Sequence, residues 1–168
     1  MSKLRTGLTA LCLAFFLLLT ACAAAPPSEF DQAQRESTER GASAVADDAV
    51  SGGSFNRFFP KTTGSDDLVY TQEKTGFAQA KLIQAGDEVA LLSVSDISSN
   101  PNAADKFADS TQSINDFPVV AEGNSSTAML VGDRFQIKIQ SRADGFTEGD
   151  RLDWLKQFDL TGIAALGK

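Results

Sequence analysis

Arg134-Phe135-Gln136-Ile137-Lys138-Ile139-Gln140-Ser141 carries the most regular pattern in the chain. Phe135, Ile137 and Ile139 alternate with Arg134, Gln136, Lys138 and Gln140, the period of a strand whose successive side chains point to opposite faces. A strand with one apolar and one polar face belongs to an antiparallel sheet that covers a core on one side and meets water on the other. Gly132-Asp133 stands just upstream and reads as a hairpin turn behind a strand at 127–131. Gly123-Asn124 separates that strand from another at 117–122 in the same way.

Further upstream the pattern repeats. Residues 68–74 have strand character, and Gly76 parts them from 77–84, where Ala78, Ala80 and Leu82 alternate with Gln79 and Lys81. Gly86-Asp87 turns the chain into 88–95, apolar nearly throughout and therefore a central strand. Asn100-Pro101 then opens a short helix to about residue 110, because proline suits a first helical turn and Ala103, Ala104 and Phe107 follow. Downstream of the opening stretch, Thr147 and Asp150 form a capping-box start for a helix with Leu152, Leu155 and Phe158 on its inner face and Trp154 beside it. Asp159 caps a last short segment carrying Leu160, Ile163 and Leu166. The expected fold is α+β: a single antiparallel sheet of about six strands with helices packed on one face, in the order βββα-βββα plus a short C-terminal helix.

The N-terminal third has a different composition. Residues 28–54 are rich in Glu, Gln, Ser, Ala and Gly, with Phe30, Val45 and Val50 as the sizeable apolar groups, too little to offset the entropy of ordering. Residues 22–53 are therefore expected to be a flexible acidic tether, reaching roughly 30 Å if it behaves as a coil. At residue 54 the composition changes. Phe55, Phe58 and Phe59 recur at helical spacing between Ser54 and Pro60, so a single helical turn with one aromatic face opens the domain at 54–168. Two roles suit these rings: a cover for the sheet edge, or a candidate partner surface beside the tether.

Lys3 and Arg5, an apolar run from Leu8 to Leu19 and then Leu19-Thr20-Ala21-Cys22 make up the start of the chain. The run is too short for a spanning helix, which needs roughly 20 apolar residues, and has the layout of a secretory signal. Its end resembles the lipobox of bacterial lipoproteins. The resemblance implies a lipoprotein signal peptide at 1–21, cleavage before Cys22 and a diacylglycerol on the Cys22 thiol, with palmitate as the natural label. The implied localisation is membrane-anchored by lipid and extracytoplasmic.

Charge and reactive side chains narrow the function. The whole chain carries −7, and residues 22–168 are more acidic still, since Lys3 and Arg5 belong to the leader. Nucleic acid is not an expected partner, and neither is electrostatic attachment to anionic lipid; the membrane is reached through the lipid on Cys22. With no histidine in the chain and its two cysteines at 12 and 22, the domain has no thiol nucleophile, no imidazole base and no internal disulfide. No cofactor or metal is expected. Asp96, Ser98, Asn100 and Asn102 alternate oxygen donors as a calcium loop would. Pro101 and Phe107, however, stand where an EF-hand needs Gly and Glu, and a strand-to-helix loop with Asx turns accounts for the spacing. Asp66-Asp67 reads as a solvated pair, Asn124-Ser125-Ser126 as hairpin chemistry although it matches a glycosylation sequon, and most of the domain's phenylalanines as core.

Phe55-Asn56-Arg57-Phe58-Phe59-Pro60, Tyr70-Thr71-Gln72-Glu73-Lys74-Thr75-Gly76-Phe77 and Trp154-Leu155-Lys156-Gln157-Phe158-Asp159-Leu160 look like segments of a group of cyanobacterial lipoproteins of unassigned function. The resemblance implies a compartment, the periplasmic face of the envelope or the thylakoid lumen, and no chemistry. The leading expectation is a lipid-anchored, non-enzymatic module that binds or supports a component of the envelope or thylakoid, through a protein partner. Two alternatives stay open: a carrier of a small apolar ligand between sheet and helices, and a hydrolase using Ser with Lys or a carboxylate pair.

Overall fold

The alternating stretch forms the middle strand of the sheet. The computed structural model describes Ala46 and residues 48 to 167; the expected leader, Cys22 and most of the expected tether lie outside the described residues. The fold is α+β with a single antiparallel sheet of seven strands: β1 (Asp66–Lys74), β2 (Phe77–Gln84), β3 (Asp87–Asp96), β4 (Gln112–Ile114), β5 (Phe117–Glu122), β6 (Ser126–Val131) and β7 (Phe135–Ser141). Their order across the sheet is β1-β2-β3-β7-β6-β5-β4, so β7 joins a three-stranded meander to a four-stranded one. Two helices follow, α1 (Glu148–Leu155) and α2 (Leu160–Ala165).

Register shows why the pattern of β7 decides the fold. Ala80, Leu92, Ile139 and Thr127 stand opposite one another across four strands, and all four are buried. One residue along, Lys81, Leu91, Gln140 and Ser126 form the corresponding row on the other face. A slip of one residue in β2, β3 or β7 would carry its buried apolar set to the more polar face. The covered face is closed by Trp154, Leu155, Leu160 and Ile163 of the two helices and by Phe55, Phe58 and Phe59.

Four features depart from the sequence reading. The sheet has a seventh strand, β4, joined to β5 by Asn115-Asp116, both of which take positive φ. The segment after Asn100 is a 3-10 helix, Pro101–Phe107. Helices do not all lie on one face: Phe107 packs with Ala128 and Leu130, which alternate along β6 with core-facing Thr127, Met129 and Val131. Every residue of β6 is therefore buried, with a helical element above and below it. The turn into β3 is Ala85-Gly86, with φ of 52° and 96°, and Asp87 is already paired with Gln84.

The start of the domain also differs. Two consecutive 3-10 turns, Gly52–Ser54 and Asn56–Phe58, replace the single helical turn. The chain is already bonded to the sheet before residue 54. The Val50 N–H donates to Asp96 Oδ2 at 3.1 Å, the Gly76 N–H donates to Val50 O at 2.6 Å, and Gly52 is buried. A Cβ at Gly52 would collide with the backbone of Lys74 and Phe77, so glycine is needed there for close approach.

Candidate functional site

Arg151 lies on the inner face of α1, among residues that cover the sheet. The first turn of this helix is held by the capping box expected from Thr147 and Asp150: the Asp150 N–H donates to Thr147 Oγ1 at 3.3 Å, and the Thr147 N–H donates to Asp150 Oδ2 at 2.7 Å. Bonds from Thr147 hold the exposed Asp150 carboxyl below the usual carboxylate range. This start sets the rotation of the helix, and Arg151 is then directed inward with Trp154 and Leu155. Arg151 is only 3% exposed.

Its guanidinium joins three pieces of backbone. Nε donates to Thr127 Oγ1 of β6 at 2.9 Å, Nη1 to Ser141 Oγ of β7 at 2.8 Å, and Nη2 to the Asn124 carbonyl of the β5–β6 turn at 3.4 Å. Ser141 in turn donates to the Phe146 carbonyl at 2.7 Å. All of these acceptors are neutral. Among the described residues, no carboxylate oxygen forms an ion pair with Arg151. A buried cation normally has an anionic partner.

Arg151 lines a cavity of about 450 Å³ at one end of the sheet, bounded by the β5–β6 turn, the end of β7 and the start of α1. Ser125, Arg142, Asp144, Thr147 and Glu148 are exposed around it, while Phe146 and Arg151 are its buried members. A second, smaller concavity of about 310 Å³ lies on the polar face of the sheet, lined by Gln79, Ser93, Gln136, Lys138 and Gln140, with Phe77 and Leu91. Beside it, Glu122 accepts from Lys138 Nζ at 2.8 Å and from Lys106 of the 3-10 helix. Burial would raise the Glu122 carboxyl, but the two ammonium groups draw it below its ordinary value.

The residues singled out from sequence fall in several places. Cys22, the proposed lipid attachment site, lies outside the described residues. Phe55, Phe58 and Phe59 are 0%, 7% and 4% exposed, so they are core and present no exposed aromatic surface. Phe55 meets Phe135 edge-on at 5.9 Å, and Phe59 packs between Tyr70 and Phe158 at 5.4 and 5.1 Å. Asp66 and Asp67 do not act as a pair: Asp66 accepts from Gln84, and Asp67 from the backbone of Leu68.

Asp96 is already engaged. Arg134 Nε and Nη2 donate to its two oxygens at 3.1 and 2.9 Å, and the backbone amides of Val50 and Ser98 each add a bond at 3.1 Å. Burial alone would raise this carboxyl, but those donors hold it at about 2. The 96–102 loop thus commits its one carboxylate to an arginine and two amides. Ser93 stands opposite Lys138 in the sheet, yet its hydroxyl donates to the Lys138 carbonyl at 3.4 Å while the ammonium goes to Glu122. The two groups are not arranged as nucleophile and base.

Comparison of the chain with protein-family models, with curated proteins and with solved structures finds no significant match.

Proposed function

We propose that the chain is a lipid-anchored, extracytoplasmic binding or assembly module of the kind the cyanobacterial resemblance implies. It is held through Cys22 and serves a component of the envelope or thylakoid without catalysing a reaction. The observation that carries this reading is Leu19-Thr20-Ala21-Cys22 at the end of a short apolar run with Lys3 and Arg5 before it. The domain supports it in two ways. The two cavities described above are lined mainly by polar side chains, which favours a polar partner over an apolar cargo. The Ser93–Lys138 pair, its groups turned to other partners, lends nothing to a serine hydrolase.

Native purification from membranes tests the reading. A tagged chain should sediment with membranes and bring down a specific component, identified by mass spectrometry. The C22A variant should lose its lipid and accumulate as an uncleaved precursor or as a released soluble form, while its domain stays folded. Recovery of a lipid or pigment inside the domain, with no partner, would favour the carrier instead.

A further inference from the structure

We infer that the pocket around Arg151 is a carboxylate-binding site, its guanidinium receiving one planar, singly charged group from a small organic acid or from the C-terminus of a peptide. The inference rests on reading the domain as a binding module and is independent of the lipid anchor.

Three observations carry it. A guanidinium has five N–H donors, and three are used here, all on neutral oxygens and one of them at 3.4 Å. Donors remain for a planar acceptor with two oxygens, the geometry that arginine matches best. The side chain is 97% withdrawn from solvent yet lines a cavity of about 450 Å³, so an anion entering that cavity would meet a cation already fixed by Thr127, Ser141 and Asn124. Its position is set by β6, β7 and α1 together, which removes most of the ordering cost of binding.

The rim selects the class of anion. Arg142 adds a second positive charge, already shared with Glu88 at 3.9 Å, while Asp144 and Glu148 face the same opening. A doubly charged phosphate would be repelled by both carboxylates, whereas a carboxylate brings one charge and matches the arginine fork.

The test is a titration of the chain labelled with ¹⁵N-arginine, following the Arg151 Nε–H resonance. Acetate, inorganic phosphate, triglycine and triglycine amide are the probes. Acetate and triglycine should each shift the resonance saturably, and the amide should not. Tighter saturation by triglycine than by acetate assigns a peptide terminus; equal saturation assigns a small acid. In R151K, half-saturation should weaken at least about tenfold, because an ammonium cannot form the parallel pair of bonds. No saturable shift with either carboxylate, or an equal response to phosphate or to the amide, overturns the site. The wild-type titration is decisive even if R151K fails to fold, and it is so whether or not a membrane component copurifies.

Discussion

Arg134 grips Asp96 through two parallel hydrogen bonds, Nε to Oδ1 at 3.1 Å and Nη2 to Oδ2 at 2.9 Å, and the same arginine holds the Asp48 carbonyl at 2.9 Å. One ion pair at the end of β3 thereby fastens the chain before the first 3-10 turn to the sheet. The Asp96 side chain is fully buried and the pair is charge-assisted on both sides, so neutralising Asp96 leaves Arg134 with the exposed Asp48 carboxylate as its anionic partner among the described residues. D96N should therefore destabilise the domain by about 3 kcal/mol and release residues 48–50, seen as faster amide exchange at Val50 and Gly76. Unchanged exchange at those two amides would show that the segment is held by something else.

The same group fixes an acid limb. Its folded-state pKa, lowered to about 2 from 3.8, means that the stabilisation is complete above the unfolded value and is lost as pH falls through the folded one. The window is thus roughly pH 4 down to pH 2, and the contribution lost is roughly 2 kcal/mol. Acid titration of wild type beside D96N should show this limb in the first and its absence in the second.

Packing of the segment before residue 54 moves the structural edge of the domain upstream. A chain starting at residue 46 should be more stable than one starting at residue 54, by about 2 to 3 kcal/mol, since the shorter one loses the Val50 bond to Asp96, the Asp48 pair and the buried Gly52. G52A in the longer chain should destabilise it comparably, because the added methyl meets backbone that cannot move aside. Equal melting temperatures for the two chains would place the boundary at 54 after all.

Burial of the three N-terminal rings gives a further expectation. F58A should cost about 3 to 5 kcal/mol, as for other buried phenylalanines, because the ring fills the space beside Gly162 and α2. Denaturant unfolding measures this directly. A cost near zero would return the rings to the role of an exposed contact surface.

Much of the sheet was legible because its chemistry is periodic. The alternation in 135–140 identified the strand that proves central, and the strand limits elsewhere fall within two residues of those expected. What escaped notice has identifiable causes. Strand β4 is three residues long, too short to show a period, and its one signal was Asn115-Asp116, two residues that tolerate the positive φ of a tight turn. The Ala85-Gly86 turn was displaced by one residue because Ala85 adopts a φ that its side chain disfavours. The Arg151 pocket was missed altogether. Its signal was a cation spaced three and four residues before Trp154 and Leu155, on the face of α1 that was otherwise read as apolar. A pocket drawn from a turn, a strand end and a helix has no signature in any one stretch.

Mass spectrometry of the N-terminal peptide of the membrane-extracted protein reads the proposed anchor at the residue that would carry it. The expected result is a chain whose first residue is Cys22, carrying diacylglycerol on its thiol. An N-terminus at any other residue, or an unmodified Cys22 thiol in the membrane fraction, would contradict it.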